Sequence, residues 1–470
     1  MKMMIKPLTL FMAGLGLLGE PVPAQTFTVL HTFPTIPSYF LEFHASGSVI
    51  SGNTLYGTTW IGGCSGAGTV FSMNINGSNF MALYTFTNGS DGANPVGSLV
   101  ISGSTIYGTT ESGGASGYGT IFSVNTNGSN FTTLYGLSGF GGNLDGNSDN
   151  MVLSGDSLYL YGTLNSGYGA VLSLNTNGSD FTTLYSFTNA SDGEVPEGSL
   201  VVSGGTLYGM TYSGGSYFQS GYLGSPGYGT VFSLNTNGSN FTTLYSFSNG
   251  DDGANPAAGL ILSESTLYGT TESGGNLDGG TLFSLKTNGH DFTTLYSFTN
   301  LNDGDFANAG GLILSGNTVY GTINAGAGEV YGVNTDGTGF KVLAIPDFST
   351  SFSNSYDIPV ATYISLVPSR DTLYGTANTF PLAFGGSSSD HGIVFSLSRP
   401  RPKLTITPSG NNVILTWPAN AGGFTLQSTT NLVSPVIWNA NSTVPAVIGG
   451  QNVVTNLLTG PQMFFRLQTN

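Results

Sequence analysis

Apolar positions in this chain come in short runs of strand length, separated by Gly, Asn and Ser. One stretch reads Gly-Ser-Leu-Val-Ile-Ser-Gly (97–103), Thr-Ile-Tyr-Gly-Thr-Thr (105–110), Gly-Thr-Ile-Phe-Ser-Val-Asn (119–125) and Phe-Thr-Thr-Leu-Tyr (131–135). The runs are β-branched or aromatic and partly alternating, with turn residues at their ends, which predicts four strands, A to D. The pattern recurs. Tyr-Gly within strand B appears at Tyr56, Tyr107, Tyr161, Tyr208, Tyr268, Tyr320 and Tyr374. The mean spacing is about 53 residues, long for a solenoid coil.

The connections are asymmetric. A meets B through Ser-Gly-x-Thr. C meets D through Asn-Gly, as at Asn76-Gly77, Asn127-Gly128, Asn177-Gly178, Asn237-Gly238 and Asn288-Gly289, a pair that suits primed hairpin turns. B–C and D–A connections are long and variable. Four antiparallel strands so joined predict a propeller blade. D-type segments begin at Phe27, Phe80, Phe131, Phe181, Phe241, Phe292 and Phe340, and the last repeat ends on a C strand, Gly392–Leu397. The expected fold is therefore all-β: a seven-bladed β-propeller over residues 25–398, closed by the N-terminal strand beside that last C strand.

Beyond a stiff basic linker, Arg399-Pro400-Arg401-Pro402-Lys403, the repeat stops. Runs at 404–407, 413–417, 424–427, 436–438, 452–455 and 463–467 predict a small β-sandwich over residues 404–470. Its early Trp417 makes it loosely similar to fibronectin type III modules.

Composition fits this picture and narrows it. There are 72 glycines in 470 residues, about twice average usage, and only 7% of residues are charged. Aromatics at 12% argue against disorder, and scarce Glu and Lys argue against coiled coils. Residues 25–398 carry 24 acids against Lys286, Lys341 and Arg370, whereas residues 399–470 carry four bases and no acid. An acidic body disfavours nucleic acid, whose binding rests on Lys and Arg. The opposite charges suit docking of the tail on the body or on an anionic surface. Residues 1–24 read as a secretory signal peptide: Lys2 and Lys6, the apolar run Leu8–Leu18, then Val22-Pro23-Ala24. No membrane span is expected in the mature chain. Cys64 is the only cysteine, so no disulfide forms within the chain.

Asp252-Gly253-Ala254-Asn255-Pro256, Gly259-Leu260-Ile261, Leu267-Tyr268-Gly269-Thr270-Thr271, Gly274-Gly275 and Gly280–Leu285 together resemble the GloVer (Gloeo/Verruco) tandem repeat of secreted bacterial proteins. The resemblance covers residues 25–398. It implies an extracellular or cell-surface protein and no particular activity. The A–B–C–D order is also similar in form to quinoprotein-type propellers.

Candidate chemistry belongs on the long-loop face. Counted from each Tyr-Gly, the ends of strand B are Trp60, Glu111, Asn165, Tyr212, Glu272, Asn324 and Asn378. A ring of aromatic, acidic and amide groups suits a glycan or protein ligand through stacking and hydrogen bonds. Bland variation at strand ends is the competing reading. His391 lies near the closing blade, with His44 and Glu42 as possible companions; His31 and His290 read as structural. Glu111 and Glu272 are the acids to weigh for glycoside cleavage. Asp-Gly at Asp91, Asp192, Asp252 and Asp303 reads first as turn structure. Asp303 with Asp305 is the best Ca²⁺ candidate, and no other cofactor is expected. The tyrosines of Gly-Tyr-Gly (Tyr118, Tyr168, Tyr228) are expected to pack between blades. The expectation is a non-enzymatic binding protein, with a carbohydrate-active enzyme and a structural matrix protein as alternatives.

Overall fold

In the computed structural model the described residues are 26–33, 47–137, 151–162, 168–188, 191–216, 227–299, 311–323, 329–344, 360–361, 365–369, 372–380, 391–398, 402–410, 412–418, 424–433, 436–441, 443–457 and 462–469. Regular structure among them is all β, in antiparallel sheets. Residues 1–25, with the expected signal peptide, lie outside this set.

Successive sheets follow the A–B–C–D order. Sheet 1 is Val49–Ser51, Thr54–Thr59, Thr69–Asn74 and Met81–Thr85; sheet 2 is Ala93–Ser102, Thr105–Ser112, Thr120–Asn125 and Thr132–Gly136. Sheets 3 to 6 repeat this plan, with B strands Ser157–Gly162, Thr206–Ser213, Thr266–Ser273 and Thr318–Ile323. In sheet 7, Thr372–Phe380 pairs with His391–Ser398, and the N-terminal strand Phe27–Thr32 adds to its free edge, Phe27 opposite Leu397 and Thr32 opposite Ile393.

Each sheet shares an apolar cluster with the next, and the cluster of Phe33, Leu55, Phe71, Met73, Tyr374 and Val394 joins sheet 7 to sheet 1. The Tyr-Gly motif serves this packing. Tyr56, Tyr107, Tyr268, Tyr320 and Tyr374 are buried in the clusters toward the following sheet. The glycine makes room on the other face: a Cβ on Gly57 would lie 2.6 Å from the ring of Phe71, its cross-strand partner. Gly108 with Phe122 and Gly269 with Phe283 repeat the pairing.

A stacked ladder of rings runs across the D strands. Tyr84 lies on Phe131, Tyr135 on Phe181, Tyr185 on Phe241, Tyr245 on Phe292 and Tyr296 on Phe340, with centroids 3.6 to 4.1 Å apart. His31 takes the tyrosine's place in the closing strand and stacks on Phe80 at 4.0 Å. Burial lowers its pKa. Aromatic pairs in favourable geometry add about 0.5–1.5 kcal/mol each beyond the area they bury.

Two expectations about the repeat need correction. The C–D turns are not primed two-residue turns. Gly77 N–H donates to the Asn74 carbonyl and Asn74 N–H to the Ser78 carbonyl, which makes a three-residue loop. Its glycine has φ +86°, whereas Asn76 keeps negative φ. This is the type I turn with a bulge. The asparagine side chain caps the turn, accepting the Ser78 N–H at 3.0 Å. Primed geometry belongs to A–B instead, where Gly52, Gly103 and Gly155 lead two-residue turns at φ near +60°.

The second correction is a register slip in sheet 3. Tyr159 pairs with Ser173 and Leu160 with Leu172, as Tyr56 pairs with Ser72 and Gly57 with Phe71. The structural equivalent of Tyr-Gly is therefore Tyr159-Leu160, not Tyr161-Gly162. Leucines at 160 and 172 replace the glycine and the phenylalanine, so the shared volume is refilled from both strands.

The tail forms two sheets. One orders Thr405–Ser409, Asn412–Pro418, Gln451–Leu457 and Ala446–Ile448; the other orders Asn439–Ala440, Phe424–Thr429 and Phe464–Thr469. Val413, Leu415, Trp417 and Val454 of the first pack with Leu426 of the second. The strand expected at 436–438 lies instead at Asn439–Ala440.

Candidate functional site

The ends of the B strands are built by the loops around them. In sheet 2 Asn94, at φ +56°, donates from Nδ2 to the carbonyl of Trp60 in sheet 1 (3.0 Å) and accepts from Ser112 Oγ (2.6 Å). Asn255, at φ +57°, does the same between Tyr212 of sheet 4 and Ser273 of sheet 5, at 3.1 and 2.8 Å. Asn tolerates this left-handed backbone better than most residues. The Asp-Gly-Ala-Asn-Pro segment thus fixes the backbone that carries Trp60 and Tyr212.

The side chains at those positions meet across sheets. Trp60 Nε1 donates to Glu111 Oε2 at 2.7 Å. Tyr212 donates its hydroxyl to Glu272; burial, that bond and the charges of Glu272 and Glu197 push the Tyr212 pKa up to about 12. Four of the residues singled out from sequence therefore form two equivalent aromatic–carboxylate pairs, one between sheets 1 and 2 and one between sheets 4 and 5.

The others are not brought together by the described structure. Asn165, Asn324, Asp303, Asp305, His44 and Glu42 lie outside the described residues. Asn165 was also reached through the slipped register: the position matching Trp60 is the residue after Gly162, two places earlier. Asn378 and His391 fall on paired strands rather than in an open loop, Asn378 opposite Gly392 and His391 opposite Thr379.

Sheet 4 breaks the repeat in a way the sequence reading passed over. Gly193-Glu194-Val195-Pro196-Glu197 stands where sheets 2 and 5 have Gly-Ala-Asn-Pro. Ser213 Oγ donates to buried Glu194 Oε1 at 2.9 Å instead of to an asparagine. Val195 keeps φ +53°, strained for a β-branched residue, because its N–H must still reach the carbonyl of Tyr168 at 2.9 Å. With Tyr212, Glu272 and Glu197 this makes one corner of the site distinctly acidic. Comparing the Asp-Gly segments that begin at Asp91, Asp192, Asp252 and Asp303 was the signal available.

The Asp-Gly carboxylates are engaged as turn caps. Asp91 accepts from Tyr84 Oη (3.0 Å), Thr87 N and Oγ1 (2.8 and 2.6 Å) and Gly89 N (3.1 Å). Burial opposes its ionisation, but these donors prevail and hold its pKa below the usual value. Asp192 and Asp252 repeat the arrangement with Tyr185 and Tyr245. No group of three or more metal-ligating side chains assembles among the described residues. Tyr118 and Tyr168 do not pack between sheets as expected: their rings are exposed, at 47% and 44%, while Tyr228 is partly buried against the cluster of sheets 4 and 5.

Fold and site together define an all-β, propeller-like repeat protein. The Gloeobacter/Verrucomicrobia repeat model matches residues 16–223 and 217–428, and the chain belongs to that family. No curated protein matches the sequence. Solved structures of similar backbone include a prolyl endopeptidase (10% identity, TM-score 0.47, covering 80% of this chain and 54% of that one). An oligogalacturonate lyase in complex with manganese shares 11% identity at TM-score 0.48, over 80% of this chain and 97% of its own. A puromycin-hydrolysing peptidase of Mycobacterium tuberculosis shares 12% at 0.48, over 80% and 59%. The chain spans about half the length of the prolyl endopeptidase.

Proposed function

We propose that this is a secreted or cell-surface binding protein, non-enzymatic, that takes a glycan on the long-loop face of a seven-bladed propeller. The propeller reading is supported by seven consecutive sheets whose apolar clusters link each to the next and the last to the first. The tail is read as a β-sandwich, from its two sheets and shared cluster. Secretion rests on the leader pattern of residues 1–24.

One observation carries the function: the same aromatic–carboxylate pair recurs at Trp60–Glu111 and Tyr212–Glu272. In the propeller reading strand B lies second from the axis, so both pairs are read as part of the channel mouth on the long-loop face. The bonds hold each aromatic group by its polar edge, and a sugar is read as stacking on the aromatic. The carboxylates are acceptors for sugar hydroxyls. Glu111 and Glu272 sit in separate pairs, each already bound to an aromatic donor, which favours binding over two-carboxylate cleavage.

A glycan array probed with the full chain tests this. Binding to at least one glycan, lost in Trp60→Ala with an unchanged melting temperature, is the expected result. Binding to a protein ligand alone would replace the glycan reading. Turnover of the bound glycan would replace the non-enzymatic one.

A further inference from the structure

Tyr161 of sheet 3 reaches across to sheet 4, where its hydroxyl accepts the N–H of Met210 at 3.2 Å and lies in the space beside Gly209. The same register position in sheet 5 is Thr270, opposite Leu282 as Tyr161 is opposite Val171. Leu282 belongs to the cluster facing sheet 6, so Thr270 faces sheet 6. There the counterpart of Gly209 is Gly321, and that of Phe232 is Tyr331, whose hydroxyl lies 2.5 Å from where a Cβ on Gly321 would be. Thr322, opposite Val330 as Met210 is opposite Val231, places its N–H where that of Met210 stands.

Thr270 is far shorter than the tyrosine it replaces. Thr270 Oγ1 and Tyr331 Oη are both fully buried, and neither has a hydrogen-bond partner. An unsatisfied buried hydroxyl is costly, and internal waters make about three hydrogen bonds to such groups.

We propose that the junction of sheets 5 and 6 holds one structural water in the place of the Tyr161 hydroxyl, bound by Thr270 Oγ1, Tyr331 Oη and the N–H of Thr322. The water accepts from Thr322 N–H and exchanges hydrogen bonds with the two hydroxyls. The polar contact that Tyr161 makes directly between sheets 3 and 4 is made by sheets 5 and 6 through solvent.

A high-resolution crystal structure of the full chain is the test. A water within about 3.2 Å of all three atoms is expected; an empty site overturns the proposal. A thermal melt of Tyr331→Phe gives a second readout, since phenylalanine already stands at the equivalent place in other sheets. Losing one partner of a bound water should lower the melting temperature by about 1–2 °C. A rise would mean that the hydroxyl was simply unsatisfied, and would overturn the proposal. The double change Thr270→Tyr with Tyr331→Phe rebuilds the arrangement of sheets 3 and 4 and should recover the loss. Failure to recover it would count against the assigned equivalence.

Discussion

The two ends of the sheets obey different rules. At the C–D end the same device repeats from sheet to sheet. The turn glycine presses on the backbone of the preceding sheet: a Cβ on Gly77, Gly128, Gly178, Gly238 or Gly337 would come within 2.7–2.9 Å of the carbonyl oxygen of Leu30, Leu83, Leu134, Leu184 or Leu295. At the other end equivalent positions hold Trp60, Glu111, Tyr212 and Glu272, and the loop beneath them changes from Ala-Asn to Glu-Val in sheet 4. Uniformity marks what every sheet needs for packing. Variation on an otherwise repeated frame marks the place where the protein is free to be specific.

The sharpest way to break this comparison is at the uniform end. Gly128→Ala must move the Leu83 carbonyl or the turn, and it places a side chain at φ +83°. It should cost about 2–4 kcal/mol in denaturant unfolding and leave ligand affinity unaltered. A cost below about 0.5 kcal/mol would show that the close approach is not structural.

Val195→Asn acts at the variable end and in the other direction. It relieves a β-branched residue of positive φ and restores the amide that bridges sheets elsewhere. A gain of about 1 kcal/mol is expected in the same measurement. A loss would mean that the Glu194–Val195 segment is not strained in this setting.

A smaller effect separates the ends by pH. The folded-state pKa of Asp91 is depressed, so its contribution is complete above the unfolded value of 3.8 and fades as the pH falls through the lower folded value. Asp91→Asn should flatten this acid limb of the stability profile, and an unchanged limb would assign it to other carboxylates. His31 is also lowered, so its contribution to the closing strand is complete above 6.5 and fades as the pH falls through its folded value. The closing strand is therefore expected to loosen at a higher pH than the Asp91 turn does.

Much of this frame could be read from the chain. The A–D periodicity, the pairing of Phe27–Thr32 with His391–Ser398, and the turn reading of Asp91, Asp192 and Asp252 all follow from spacing and turn chemistry. The slip in sheet 3 shows where such reading fails. A motif of two residues was followed to Tyr161-Gly162, while the packing it stands for had moved to Leu160 and Leu172. The Asn-Gly turns misled for a related reason: a three-residue loop with a capping side chain uses the same dipeptide as a two-residue one. Trp60 and Glu111 were singled out as ring positions, but their direct bond depends on backbone angles at Asn94 that no single repeat reveals. The ladder of Tyr on Phe was invisible because each pair spans two repeats.

The central claim is that the variable end binds ligand through its aromatic–carboxylate pairs. It is tested most directly by calorimetric titration of an array-positive oligosaccharide into wild type, Trp60→Ala, Tyr212→Ala and Gly128→Ala. Affinity should fall at least about tenfold in the first two variants, an effect of about 1.4 kcal/mol, and stay unchanged in the third despite its lower stability. Equal affinity in all four proteins, or a loss only in Gly128→Ala, would contradict the account.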